Sequence, residues 1–286
     1  MKIATYEHRG QKSFGIVLDG AIVDLSSRIG NKYPGVLELL RAQALDEAGH
    51  AIEGASADVD LRDVTLLRPV PFPEKIFCVG VNYANRNAEY KDGSDAPKYP
   101  SIFVRTPDSL VGHNSDIVRP PESEQFDYEG EIVIIIGKSG RHIPRENALE
   151  YIAGYTIINE GTVRDWLRRG TQNFPGKNFY RSGAIGPWMV TADEIPDLSK
   201  VPIVTRVDGE IRQDGMTDMM IFDIPFVISH VSTFTWLEPG DMIATGSPGG
   251  SAVESEPPAW LQPGQEIEIE IAPIGVLRNR VKAEVS

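Results

Sequence analysis

The stretch that most constrains this chain is Phe126-Asp127-Tyr128-Glu129-Gly130-Glu131, which runs into Ile132-Val133-Ile134-Ile135-Ile136 and stops at Gly137. Five consecutive β-branched residues closed by glycine predict a strand buried on both faces. Side chains alternate along a strand, so Glu129 and Glu131 point the same way, about 7 Å apart along its axis. Two carboxylates at the mouth of a buried strand repel each other and lose hydration, so a positive charge has to offset them. A hard divalent cation, Mg²⁺ or Mn²⁺, would do so, because it prefers oxygen ligands. The chain also holds a control. Residues 266–271, Glu-Ile-Glu-Ile-Glu-Ile, alternate in the same way with no sign of chemistry, the pattern of a strand with one solvated face. Spacing alone therefore leaves both readings of Glu129 and Glu131 open.

At 286 residues the chain can bury a large core. Its formal net charge of −13 disfavours duplex nucleic acid and anionic membranes as partners. The start of the sequence has no signal-peptide apolar region, and no apolar run approaches membrane-spanning length, so a cytoplasmic location is expected. The single cysteine, Cys78, excludes an internal disulfide framework and a cysteine-based zinc cluster. Its setting, Ile76-Phe77-Cys78-Val79-Gly80, is that of a structural thiol in a buried strand.

Taken in order, residues 1–24 read as short strands with an Asp19-Gly20 hairpin turn. A helix is predicted from Pro34 to about Ala48, and Gly49 supplies a stop. Pro69, Pro71 and Pro73 then punctuate the chain, which places a small β-rich N-terminal domain over residues 1–68 and a larger one over 69–286. In the larger part, a strand ending near Gly80 leads into a short helix through Glu89 and a lid-like loop at 91–100. Strands are expected at 102–105, 117–118, 129–136 and 154–159, with a helix from Pro144 to about Tyr151 and another through Arg168. An Asp208-Gly209 hairpin, a helix capped by Asp223, and strands at 242–245, 266–271 and 277–284 complete the reading. Many strands, few helices and no βαβ rhythm predict an α+β, mainly β architecture.

Several chemistries are missing from the sequence. It contains no Gly-x-Gly-x-x-Gly, no Walker loop and no Gly-x-Ser-x-Gly elbow, and none of its five histidines stands at metal-ligand spacing with another. Ser247 resembles a nucleophile elbow only loosely, because Pro248 removes the donor an oxyanion hole would need.

Other stretches accumulate around the two glutamates. They are Gly80-Val81-Asn82-Tyr83-Ala84-Asn85-Arg86-Asn87-Ala88-Glu89, Gly154 to Trp166 with Asn159-Glu160-Gly161 at its centre, Gly176-Lys177-Asn178-Phe179, Ile185-Gly186-Pro187-Trp188, and Pro239-Gly240-Asp241-Met242-Ile243-Ala244-Thr245-Gly246. In order and spacing they make residues 69–286 resemble the fumarylacetoacetate hydrolase superfamily. The resemblance implies a mixed β-roll catalytic domain, homodimeric, with one Mg²⁺ or Mn²⁺ held by Glu129, Glu131 and Glu160. The family pattern has Asp at the third position, so Glu160 is longer by one methylene. It further implies a small 2-oxo or 1,3-diketo acid substrate and chemistry through a metal-stabilised enolate: C–C hydrolysis, decarboxylation or isomerisation, in the breakdown of aromatic compounds or sugar acids. Arg164, Lys177 and Thr245 match positions that hold or polarise substrate, and Tyr83 belongs to the same substrate-binding set.

Two departures matter. Family hydrolases carry Asn-Tyr-x-x-His-x-x-Glu, a dyad that activates water; here Arg86 replaces the histidine while Glu89 stays. A permanently protonated guanidinium makes a poor base but a good clamp for a second carboxylate. Leu167 stands where the hydrolases have a glutamine that contacts substrate. Both move weight from hydrolysis towards decarboxylation, isomerisation or dehydration. The alternatives are a dehydratase or hydratase of a 2-keto-3-deoxy acid, and a non-catalytic member that binds a metal or keto acid.

Overall fold

The computed structural model describes residues 1–84 and 97–285. The central run forms the strand Gly130–Ile136, every residue of it buried. Glu129 lies just before its first residue. The strand pairs antiparallel with Ile152–Asn159 on one side and Met242–Ala244 on the other. A continuous apolar run here marks the middle of a mixed sheet covered on both faces, with mostly antiparallel neighbours. From that centre the sheet extends through Met242–Ala244 to Ile76–Gly80 and Ser101–Val104, and through Ile152–Asn159 to Gly183–Thr191.

The N-terminal strands continue the same sheet. Lys2–His8 pairs with Gly183–Thr191, with Ile3 opposite Met189. Ile3, Phe14 and Leu39 share one apolar cluster with Val133, Ile135 and Ile158. Sheet and core therefore both run across residue 68. A five-stranded sheet, ordered Glu210–Met216, Pro202–Val207, Glu266–Ile271, Gly275–Ala283, Asp116–Arg119, packs on the other face. In Glu266–Ile271 every isoleucine is buried and every glutamate partly exposed, so its carboxylates belong to a solvated face.

The local signals are realised where chemistry dictates them. Asp19 and Gly20 take φ of 45° and 80°, and Asp208 and Gly209 take 49° and 80°, two left-handed residues in each turn as a two-residue hairpin requires. Asp223 caps Ile224–Phe234 by accepting the Phe226 N–H. Two predicted helices differ. The one from Pro34 breaks into Val36–Arg41 and Leu45–His50, because Gln43 between them takes a left-handed φ of 52°. The segment Arg145–Tyr151 winds as a 3₁₀ helix.

Asn82 joins three segments. Its side-chain nitrogen donates to the carbonyls of Phe222 and Thr245, and its oxygen accepts the Phe222 N–H. Fully buried, it ties the end of one sheet strand to the loop after another.

Candidate metal and substrate site

Glu129 and Glu131 leave the mouth of the central strand side by side, and Glu160 ends the neighbouring one. Register brings them together: Gly130 faces Asn159 and Glu131 faces Ile158. The Glu160 N–H donates to the Glu129 carbonyl at 2.7 Å, and Asn159 Oδ1 accepts the Glu129 N–H at 3.1 Å. One carboxylate oxygen from each glutamate lies within 4.8 Å of the other two, and all three residues are buried. Glycine is required beside them. A Cβ on Gly161 would stand 1.8 Å from the Ser182 carbonyl oxygen, so only glycine lets the chain turn there after Glu160. Gly246, at φ 93°, donates its N–H to Glu131 Oε2 at 2.7 Å.

Two cations enter the cluster. Lys177 Nζ lies 2.6 Å from Glu129 Oε2 and 2.9 Å from Glu160 Oε2. Arg164 spans Asp127 Oδ2 and Glu129 Oε1, each at 2.6 Å. Burial, then the charges of Glu160 and Glu129, push the Glu131 carboxyl well above the usual carboxylate range. The Cys78 thiol, fully buried, is pushed up by burial and by the charges of Glu160 and Glu131.

The donor set fits a hard divalent cation. Three carboxylates converge, and among the described residues Glu160 Oε1 is buried without a hydrogen-bond partner. A buried acceptor left orphaned is costly unless an ion satisfies it. A cavity of about 40 Å³ opens on these groups, lined also by Ser101, Phe103, Leu167, Asn173 and Ser247. A larger cleft of about 550 Å³ beside Phe14, Phe72 and Tyr180 shares none of the three glutamates. Chemistry rather than volume locates the site.

The other expected residues fall as follows. Arg164 and Lys177 line the cavity. The Thr245 hydroxyl donates to the Ile132 carbonyl at 3.0 Å, so meeting a substrate would require leaving that bond; Ser247, two residues on, lines the cavity instead. Tyr83 is fully buried and its hydroxyl has no partner among the described residues. Arg86 and Glu89 lie outside the described residues, as does most of the lid-like loop. Sequence reasoning passed over Asp127, which takes Arg164 and the N–H groups of Ala252 and Val253. The alternation that paired Glu129 with Glu131 extends back to Asp127 and could have found it.

Residues 75–282 match the family model of the fumarylacetoacetate (FAA) hydrolase C-terminal domain. The chain belongs to the fumarylacetoacetate hydrolase superfamily. This superfamily enzyme is 36% identical over 301 residues to oxaloacetate tautomerase YisK of Bacillus subtilis, an alignment covering 98% of this chain and 100% of the relative. A solved fumarylacetoacetate hydrolase from psychrophilic Exiguobacterium antarcticum superposes with a TM-score of 0.84 at 37% identity, covering 99% and 100% of the two chains. Maleylpyruvate hydrolase from Sphingobium sp. SYK-6, solved with manganese(II) and pyruvate, gives 0.82 at 28% identity over the full length of both. Among the described residues no helix of this superfamily member is long and apolar enough to cross a membrane.

Proposed function

We propose that this enzyme interconverts the keto and enol forms of a small 2-oxo diacid, with oxaloacetate as the substrate and Mg²⁺ or Mn²⁺ as the ion. The observation that carries the reading is the convergence of Glu129, Glu131 and Glu160 with the Lys177 ammonium lodged between two of them. Similarity over essentially the whole chain to an oxaloacetate tautomerase supports the substrate. A bound divalent cation would supply positive charge to the carboxylate and carbonyl oxygens at one end of the substrate. The rest falls to the protein. Tautomerisation breaks one C3–H bond, its electron pair forms the C2–C3 double bond, and a proton joins O2, so nothing else is consumed. Lys177, buried with its Nζ against Glu129 and Glu160, is placed to offset charge developing on O2. Arg164, held between Asp127 and Glu129, keeps the Glu129 carboxylate in place. Glu89 is the sequence's candidate for moving the C3 proton, and Arg86 its candidate clamp for the second carboxylate.

The test is the decay of the enol absorbance of oxaloacetate. Rate acceleration that vanishes with EDTA and returns with Mg²⁺ or Mn²⁺ is the expected result, with Arg86→Ala raising KM by about tenfold or more. No acceleration at any metal concentration, or faster release of pyruvate than enol decay, would overturn the assignment. Release of pyruvate from acylpyruvates would favour hydrolysis instead. We also propose that the chain works as a homodimer; light scattering at micromolar concentration should give twice the 31.5 kDa chain mass, and a monomer would contradict it.

A further inference from the structure

Arg105 follows the strand Ser101–Val104 and is 3% exposed. Its guanidinium makes four hydrogen bonds: Nε to Ser109 Oγ at 3.1 Å, Nη1 to the Gly161 carbonyl at 3.0 Å, and Nη2 to Ser182 Oγ at 3.1 Å and the Ser109 carbonyl at 3.4 Å. Every one of these acceptors is neutral. Among the described residues no carboxylate lies within ion-pair distance of it, unlike Arg164 and Lys177. A neutral donor could serve four neutral acceptors without the cost of burying a charge. The charge therefore has to be balanced by something farther off. Gly161 directly follows Glu160. Burial is the largest influence on the guanidinium and lowers its proton affinity; the charge of Glu160, the leading opposing one, favours the cation, with Glu129 and Glu131 adding less.

Counting buried formal charges shows what this does. Among the described residues at this site, four carboxylates, Asp127, Glu129, Glu131 and Glu160, face Arg164 and Lys177, and Arg105 is the third cation. A bound metal requires its three glutamate ligands ionised; with Asp127 also counted as the anion that answers Arg164, the protein part carries one net negative charge. A divalent ion makes the loaded site net positive. Without Arg105 the same groups with the ion would sum to zero, and the attraction for a carboxylate substrate would be weaker by one buried positive charge.

We propose that Arg105 is a positioning and charge-setting residue of this site: its buried charge weakens cation binding and strengthens binding of an anionic substrate to the metal-loaded enzyme. This rests on the metal-site reading above. The two effects have opposite signs, which separates them from a merely structural role for the four hydrogen bonds.

The experiment measures two affinities in the full-length protein: Mn²⁺ by electron paramagnetic resonance titration, and oxalate, a planar dianion, for the Mn²⁺-loaded form. Arg105→Gln should bind Mn²⁺ more tightly and oxalate more weakly, each by on the order of tenfold. Arg105→Lys should keep both near the wild-type values. Ser182→Ala, which removes one hydrogen bond and no charge, should lower the melting temperature and leave both affinities alone. If Arg105→Gln fails to fold, Ser182→Asp neutralises the guanidinium in place and should shift both affinities in the same directions. Weaker Mn²⁺ binding in the neutralised variant, or unchanged oxalate binding, overturns the proposal. Wild-type protein that binds no Mn²⁺ would instead overturn the metal site itself.

Discussion

Glu131→Gln is expected to cost more divalent affinity than the roughly 10–100-fold typical of losing an outer-shell partner, and yet to stabilise the metal-free protein. The two effects share one cause. The Glu131 carboxyl is buried beside Glu160 and Glu129 and its proton affinity is raised well above the ordinary value of 4.5. The folded state thus binds this proton more tightly than the unfolded chain. Its contribution to stability is fully present below about pH 4.5 and is lost as pH rises through the folded value. Glutamine cannot ionise, so in EDTA the variant should outlast wild type by a margin that widens with rising pH. Glu129→Gln should behave in the opposite way. Glu129 answers both Arg164 and Lys177, and removing its charge leaves two buried cations short of a partner, at a cost of about 3–5 kcal/mol. Urea denaturation in EDTA across pH 5–9, with Mn²⁺ titration of each variant, reads out both. Equal destabilisation by the two substitutions at pH 8, or wild-type Mn²⁺ affinity in either, would show that the cluster is wrongly described.

Asp127→Ala should produce the second large effect. Asp127 is fully buried and accepts from Arg164 Nε and from the N–H groups of Tyr128, Ala252 and Val253. Its removal leaves those N–H groups and one side of a buried guanidinium unanswered, and a loss of about 3–5 kcal/mol is expected. Metal affinity should fall as well, by roughly 10–100-fold, because Arg164 holds a Glu129 oxygen. Asp127→Asn keeps an acceptor for some of the N–H groups and should fold better, yet it still leaves Arg164 without that negative partner. If Asp127→Asn bound Mn²⁺ as wild type does, the Asp127–Arg164–Glu129 chain would have no part in shaping the site.

Glu129 and Glu131 also show how far residue patterns reach. The alternation of the central strand put Glu129 and Glu131 on one side with no reference to anything else in the chain. The identical alternation at 266–271 shows why that was not enough. There the glutamates sit on a half-exposed face, whereas Glu129 and Glu131 are 3% and 1% exposed at the covered mouth of a sheet. Period-two spacing sets which residues share a face; burial of that face depends on which layers pack over it.

Local chemistry was legible wherever a few neighbouring residues decide the backbone. The Asp-Gly turns, the Asp223 cap and the buried isoleucine run all formed at the expected places. The helix from Pro34 failed because one residue, Gln43, takes a left-handed turn that helix propensity does not signal.

What the sequence determined by itself was the family, through motifs in order, and with it the three carboxylates, since each motif is a local string. How these strings answer one another was set by the folded chain. Strand register sets Glu131 opposite Ile158, one residue before Asn159 and two before Glu160. Lys177 comes from the short helix Phe174–Lys177 and Arg105 from a sheet edge more than fifty residues before Glu160, and both reach that glutamate's surroundings. Charge balance in a buried site sums over everything nearby in space, because low dielectric lets distant segments feel one another. No linear spacing encodes that sum, so the number of cations matched to four carboxylates could be read only once the chain was folded.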